Sequence, residues 1–258
     1  MTLPASAQSL VSRGQSFVTA ELLPGAPVSD GVRVIGLELD LEPHWKTYWR
    51  SPGEVGIPPK FDFSKSTNLD NVEVYWPRPE LFESFGQRTV GYADKVVLPI
   101  AVTPKDPMAP VGLDLAMEVG VCHQVCVLEV AELARTIPAD QSDRAGEVAA
   151  AMRSVPQPGA AQGMEQATCR ISGAGRDRQF DAAITFDRPL SDPTVLIEGP
   201  EGAWFHQTET TAEGGQIDVS STLTLLFDDV WVSRNGVRMT VLAGDVAADI
   251  QGCTAPAG

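Results

Sequence analysis

The 258-residue sequence contains few of the side chains on which most catalytic and metal sites depend, with four cysteines and three histidines. A structural zinc site needs four such ligands close together, and only His123 lies beside any of the cysteines, so zinc is disfavoured. The motifs of serine-nucleophile elbows, phosphate-binding glycine loops and HExxH metalloproteases do not occur. These absences argue against the commonest classes of hydrolase and nucleotide-binding enzyme.

Basic residues are also scarce, with 19 Lys and Arg against 34 Asp and Glu and a formal net charge of -15. Such a field repels phosphate groups, so no nucleic-acid partner is expected and anionic lipid surfaces are disfavoured. No run of about 18 apolar residues occurs, so no segment is predicted to cross a membrane as a helix.

Turn-forming residues, in contrast, are abundant, and 20 prolines and 23 glycines separate short apolar segments. Residues 31–42 mostly alternate apolar and polar side chains, which predicts a strand with one buried face. The extra residue near Ile35 and Gly36 predicts a bulge in that strand. Further strands are predicted at 72–76, 95–102 and 113–121. Short strands at this spacing predict an antiparallel β-sandwich.

The composition changes after residue 138. Residues 140–153 are predicted as the one good helix, and residues 155–166, rich in Pro, Gly, Ala and Gln, as a linker. Later strands are predicted at 167–171, 179–186, 194–198, 216–220, 222–227 and 236–243. The predicted organisation is a tail (1–14), a first sandwich (15–138), a helix and linker (139–165) and a second, smaller sandwich (166–256).

The N-terminal residues include Ala5-Ser6-Ala7, a small–x–small pattern like the end of a secretory signal. The charged and apolar regions that precede such a site are missing. We interpret residues 1–14 as the remnant of a removed signal peptide behind an added start Met, which predicts a periplasmic or otherwise exported protein. The alternative is an ordinary polar tail.

One pair of cysteines is closely spaced, with three residues between Cys122 and Cys126. A disulfide between them closes so small a ring that it removes little chain entropy, which makes it a poor device for stability alone. Such a pair suits thiol–disulfide exchange, in which one sulfur is attacked and the other resolves the mixed disulfide. Two alternatives stay open: a structural hairpin bridge, and Cu(I) binding by Cys122, His123 and Cys126.

The other two cysteines, Cys169 and Cys253, lie near the two ends of the second predicted sandwich. A bridge between them would close a loop of more than 80 residues, which removes much more entropy from the unfolded chain. We therefore predict a structural disulfide. His44 and His206 adjoin aromatic residues and are interpreted as packing or surface residues. The aromatic stretch 44–53 is expected to pack in the core, or in part to flank the cysteine site.

Three segments, HWKTYWRSPGEVGIPPKF, ESFGQRTVGYADKVVLPI and VCHQVCVLE, occur in an order and spacing that resemble a known family. Over roughly residues 15–138 the chain resembles the N-terminal periplasmic domain of the DsbD and ScsB thiol:disulfide interchange proteins. The second half resembles the longer ScsB-like ectodomains, which are associated with copper tolerance. The resemblance implies an all-β fold of two immunoglobulin-like sandwiches joined by the helix-containing linker.

The resemblance also implies a function for the close pair. Cys122 and Cys126 would carry electrons without an organic cofactor, and Cys126 would be the sulfur that partners contact first. The electrons would come from a DsbD- or CcdA-like membrane donor through a thioredoxin-like domain or protein, and would pass to periplasmic client proteins. Glu83, Ser84 and Phe85 correspond in position to a cap loop, with Phe85 as the shield of the disulfide.

The chain departs from the family pattern in three respects. Only three residues separate its cysteines, fewer than in the best-known members. The aromatic pair of the cap is reduced to Phe85, preceded by Ser84. The transmembrane and thioredoxin-like parts of the longer family members do not occur in this sequence.

Overall fold

The computed structural model describes residues 16–27, 31–84, 86–139, 145–206 and 208–256. The chain forms two compact units that divide between Val155 and Pro156. Both are built mainly from antiparallel strands. Within the described residues, no helix is long and apolar enough to cross a membrane.

The first unit is a sandwich of two sheets with an apolar interior. One sheet has the strand order β1-β2-β8-β5, and the other has the order β10-β9-β3-β7-β6, with β4 paired to β9. The strands are β1 (Val18–Pro27), β2 (Arg33–Leu41), β3 (Lys46–Gly53), β4 (Lys60–Asp62), β5 (Leu69–Val74), β6 (Glu80–Ser84), β7 (Gln87–Ala93), β8 (Lys95–Pro104), β9 (Val111–Cys122) and β10 (Cys126–Ile137). Alternate residues of the long strands β2, β8 and β9 are buried between the sheets, as the period-2 pattern predicts.

The bulge predicted near Ile35 and Gly36 lies at that place in the sheet, but its extra residue is in the neighbouring strand: Leu23 pairs with Gly36 and Ala26 with Val34, so two β1 residues lie opposite Ile35. Strand β2 pairs with β8 in one unbroken register, and the irregularity lies in β1, between Leu23 and Ala26. Ile35 faces the core as part of a strict alternation, whereas Gly36 is buried on the opposite face. A helix covers the outer face of this sheet, so residues on both faces of β2 are buried. The apolar pattern of the sequence therefore changes face within β2 although the strand contains no extra residue.

That helix is α1 (Ala145–Arg153), which packs on β8, β1 and β2. Its Val148 is 3% exposed, and a Cβ added to Gly36 would lie 3.1 Å from Val148 Cγ2. The helix was predicted over 140–153, of which 140–144 lie outside the described residues. It is therefore part of the first unit's packing.

The second unit is also a sandwich, with the strand order β11-β19-β18-β14 in one sheet and β12-β13-β17-β15 in the other, where β16 also pairs with β17. The strands are β11 (Gln157–Pro158), β12 (Met164–Ser172), β13 (Asp177–Phe186), β14 (Thr194–Glu198), β15 (Ala203–Phe205), β16 (Glu209–Glu213), β17 (Gln216–Leu225), β18 (Arg238–Ala243) and β19 (Val246–Gln251). The core includes Phe180, Ile184, Val195, Val219 and Met239.

The structure of this unit differs from the sequence predictions in two places. The residues predicted as a linker contribute β11, which pairs with β19, and a 3₁₀ turn at Gly159–Gln162, so they belong to the second sandwich. The two strands predicted at 216–220 and 222–227 are one strand, β17. Its apparent break marks a change of neighbour, since β16 pairs with its first half and β15 with its second.

A disulfide joins Cys169 in β12 to Cys253, which follows β19, and so connects the two sheets of the second unit. Cys169 is fully buried and Cys253 is 9% exposed. The backbone N–H of Cys169 also donates to the carbonyl of Thr254. This bond therefore lies within the packed interior of the unit.

Candidate functional site

The close cysteine pair lies at the turn end of a long hairpin. Strands β9 and β10 pair over twelve residues each, and Cys122 and Cys126 form the last pair before the turn. Directly opposite residues of an antiparallel pair have closely spaced side chains, and the two Cα atoms are 4.1 Å apart. The hairpin thus brings the sulfurs together, and the structure holds them as a disulfide.

The two cysteines have unequal access to solvent. Cys122 is 5% exposed, whereas Cys126 belongs to the exposed residues of β10. The difference follows from the sheet, because β3 pairs with β9 on the side of Cys122 while β10 is the end strand of that sheet. An incoming thiolate can therefore reach Cys126 far more easily than Cys122.

The hydroxyl of Tyr48, on the central strand β3, contacts both sulfurs. Its oxygen lies 2.8 Å from Cys122 Sγ and 3.5 Å from Cys126 Sγ. The Tyr48 side chain is 5% exposed, and burial raises the pKa of its phenol above the ordinary value. The phenol consequently keeps its proton at neutral pH and can donate a hydrogen bond to sulfur.

Close packing against two glycines holds the Tyr48 ring in this position. A Cβ added to Gly120 in β9 would lie 3.0 Å from Tyr48 Cδ2, and one added to Gly56 would lie 2.9 Å from Cδ1. The neighbouring Thr47 donates its hydroxyl to the carbonyl of Gly120 at 2.9 Å. These contacts fix the phenol between β9 and the loop that follows β3.

The residues predicted as a cap lie in the β6–β7 hairpin. Exposed Glu83 is opposite Arg88, and Ser84 is opposite Gln87 in the strand register, while Phe85 lies outside the described residues. This hairpin reaches the site through Phe82, whose ring lies 4.1 Å from Lys46 Nζ. Lys46 is in turn the β3 residue opposite Cys122. The shielding role of the cap residues therefore stays a prediction.

Exposed apolar side chains lie beside Cys126 in the chain and along the same strand. We call Val125, Cys126, Leu128 and Val130 the exchange patch; the three apolar members are 62%, 50% and 49% exposed. Cys126, Leu128 and Val130 alternate along β10 and so share one face of the sheet. Exposed apolar residues grouped around one reactive group are typical of a surface that another protein covers.

On the other side of the turn, His123 lies near two residues of the loop before β3. Its ring centroid is 5.9 Å from that of His44 and 6.1 Å from that of Trp45, and Trp45 stacks on Phe17 at 3.8 Å. Among the residues that the structure describes, no group of three or more His, Cys, Asp or Glu side chains is placed to hold a metal. His206, in the second unit, is paired with Thr224.

Tyr48 is the site residue that sequence reasoning did not single out. The stretch 44–53 was interpreted mainly as core packing, which holds for fully buried Trp49. Strand alternation carries the missing signal, because it turns Tyr48 to the face opposite Trp49. The pairing of β3 with β9, which decides what lies on that face, is not visible locally.

The chain is similar to known proteins in sequence and in fold. Residues 19–138 match the family described as the N-terminal part of the thiol:disulfide interchange protein DsbD. The first unit belongs to the family of DsbD N-terminal domains. The match covers the strands that carry Tyr48, the β6–β7 hairpin and both cysteines of the DsbD-type domain.

The fold likeness extends beyond the DsbD-type domain. The crystal structure of the N-terminal periplasmic domain of ScsB from Proteus mirabilis is similar with a TM-score of 0.73 and 23% sequence identity, over 96% of this chain and 97% of that one. This likeness confirms the predicted all-β, immunoglobulin-like fold. No curated protein matches the chain.

Proposed function

We propose that this chain is a periplasmic thiol:disulfide exchange protein in which the Cys122–Cys126 pair relays electrons. A thioredoxin-like protein, itself reduced by a DsbD- or CcdA-like membrane donor, would reduce the disulfide, and the resulting dithiol would reduce periplasmic client proteins. Membership of the DsbD family supports the chemistry, and the periplasmic location of the similar ScsB domain supports the compartment.

The observation that carries the proposal is the unequal burial of the two cysteines that share one bond. A bridge whose purpose is structural gains from being covered on both sides, as Cys169–Cys253 is. The Cys122–Cys126 bond instead joins a buried residue to an exposed one. Exchange requires an accessible sulfur for attack and a second sulfur that can leave.

The reaction then has a defined order. The partner's thiolate attacks Cys126 Sγ, a bond forms between the two proteins, and the electron pair of the broken bond moves to Cys122 Sγ. The partner's second thiolate then attacks the partner's first sulfur in the mixed disulfide, and Cys126 leaves as a thiolate. Two electrons and two protons pass from the partner dithiol to the two cysteines, and the partner leaves as a disulfide.

The exchange patch is the surface on which we expect such a partner to dock. Its apolar residues would be buried around the reacting sulfur, and burial of apolar area in the centre of an interface is a main source of affinity. The reversible transfer of electrons requires a short-lived complex, for which a small apolar patch is suitable.

Trapping of the mixed disulfide tests the proposal. In Cys122→Ala, Cys126 lacks its resolving partner, so covalent complexes with a thioredoxin-fold protein should accumulate in the periplasm and be identifiable by mass spectrometry. The control is Cys126→Ala, which leaves only the buried sulfur and should trap little. Equal trapping by both variants, or none by Cys122→Ala together with no exchange between wild type and thioredoxin-like dithiols, would contradict the proposal.

The copper alternative predicts stoichiometric Cu(I) binding by the reduced protein through Cys122, His123 and Cys126. His44 and His123 lie close together, but no third ligand accompanies them among the described residues. Anaerobic Cu(I) titration of the reduced wild type and of Cys126→Ser separates the two functions. Tight binding without thiol exchange would favour the copper function.

A further inference from the structure

We infer that Tyr48 is a catalytic residue of the exchange reaction, which stabilises Cys122 as the leaving thiolate by donating a hydrogen bond from its phenol. The inference deepens the proposed function and rests on it. It specifies which sulfur carries the negative charge when the disulfide opens, and which group of the protein stabilises that charge.

The geometry around Cys122 supports this role. Tyr48 Oη lies 0.7 Å closer to Cys122 Sγ (2.8 Å) than to Cys126 Sγ (3.5 Å). The hydrogen bond therefore favours charge on the buried sulfur, which is also the sulfur released when a partner attacks exposed Cys126. Accessibility and hydrogen bonding thus select the same direction of bond cleavage.

The hydrogen bond is worth more in the transition state than before the reaction. A neutral disulfide sulfur is a weak acceptor, whereas a developing thiolate is a charged one, and hydrogen bonds to charged groups are roughly twice as strong as neutral ones. Only interactions that strengthen as the reaction proceeds accelerate the chemical step. Because the phenol is already packed between two glycines, no reorganisation is needed when the charge appears.

The proton stays on the phenol throughout this step. Burial raises the pKa of Tyr48 above its ordinary value near 10, and a phenol with so high a pKa is a poor proton donor to a thiolate. Tyr48 thus donates a hydrogen bond, and the proton that finally neutralises Cys122 comes from the partner dithiol by way of solvent. The charged or titratable neighbours of Cys122 include Lys46, opposite it on β3, and His123, next in the chain.

The first test is the rate of reduction of Tyr48→Phe by a thioredoxin-like dithiol protein, with dithiothreitol as a second reductant. We expect both rates to fall about tenfold, since loss of one donor to a developing anion slows enzymes by at least this factor. The matched control is Tyr92→Phe, which also removes one buried phenolic hydroxyl from this sheet, here one that donates to the carbonyl of Pro77. Its reduction rates should equal those of the wild type.

The second test separates catalysis from a merely structural role. In the Cys126→Ala background, the Cys122 thiolate is titrated by its ultraviolet absorbance with and without the Tyr48→Phe change. If the phenol stabilises the thiolate, its removal moves the titration midpoint to higher pH. A hydroxyl that only fills space would leave the midpoint unchanged.

The outcomes separate this inference from the function on which it rests. If the wild type exchanges with thioredoxin-like dithiols, and Tyr48→Phe matches it in both the rates and the titration, the role of Tyr48 is refuted while the exchange function stands. If the wild type does not exchange at all, the proposed function itself fails. A tenfold slower Tyr48→Phe with a shifted midpoint supports both.

Discussion

At the scale of single residues, Tyr48 and Tyr92 lie on opposite faces of one sheet, and their hydroxyl groups have different partners. Both phenols are buried, but Tyr48 reaches the disulfide whereas Tyr92 donates to the backbone carbonyl of Pro77. Burial raises the pKa of both, and raises that of Tyr92 well above the ordinary value. Tyr75, the third tyrosine, is shifted in the same direction.

These pKa shifts predict a loss of stability at alkaline pH. The folded protein favours the neutral phenol, so the free energy of unfolding is unaffected below the unfolded-state pKa of about 10 and decreases as the pH rises through and above it. Urea unfolding between pH 8 and pH 11 measures this dependence. Tyr92→Phe should be less stable by about 1 kcal/mol at pH 8, because Pro77 loses its donor, and should depend less steeply on pH. Parallel curves for the two proteins would contradict the assignment.

At the scale of elements, the β9–β10 hairpin and its neighbour β3 position the whole site. Gly120 allows Tyr48 and Ile57 to approach β9, since a Cβ there would lie 2.7 Å from Ile57 Cβ. We expect Gly120→Ala to cost about 1–3 kcal/mol, the usual range for overpacking, and to slow exchange because Tyr48 is displaced. Gly146→Ala, in an open position of helix α1, is the control and should be neutral or slightly stabilising. Urea midpoints and exchange rates check both variants.

The exchange patch belongs to the same hairpin, and its role in docking can be separated from the chemistry. We expect Leu128→Asp to slow reduction by a thioredoxin-like protein by about tenfold, because a charge at the centre of an interface must be desolvated. Reduction by dithiothreitol should be unchanged. Leu226→Asp is the matched control, since Leu226 is 49% exposed but lies in the second unit. Equal effects of the two variants on the protein partner would refute the docking surface.

At the scale of the whole molecule, the two disulfides differ in what they contribute. The Cys169–Cys253 bond spans 84 residues and the Cys122–Cys126 bond spans four. The chain-entropy relation assigns about 4.5 kcal/mol to the first and about 2 kcal/mol to the second. The two bonds also differ in burial: the long-range bond lies inside a core, whereas the short one joins buried Cys122 to exposed Cys126.

Removal of each bridge should therefore affect the two units differently. Calorimetry of Cys169→Ala/Cys253→Ala is expected to show the second unit unfolding at a much lower temperature, with a loss of about 4.5 kcal/mol. Cys122→Ala/Cys126→Ala should cost the first unit about half as much and abolish exchange. A larger loss from the short bridge than from the long one would indicate that Cys122–Cys126 is structural after all.

Much of the fold was predictable because strand alternation and turn residues are local properties of the chain. The predicted strand at 194–198 coincides with β14, and the close cysteine pair was identified as the chemical feature of the chain. The errors have a common cause. The bulge was assigned to the strand of Ile35 and Gly36 although its extra residue is in β1, and the break in β17 marks a change of paired strand, so both errors depend on neighbours that the local pattern does not report.

The spacing of Cys122 and Cys126, and the three-residue turn between them, sufficed to bring two sulfurs within bonding distance, since a hairpin is formed by neighbours in the chain. The identity of the accessible sulfur, and the phenol placed beside its partner, depended on β3, whose Tyr48 lies 74 residues away from Cys122 in sequence. Pairing between such distant strands is decided by the burial of the whole sandwich, and a short segment carries no record of it.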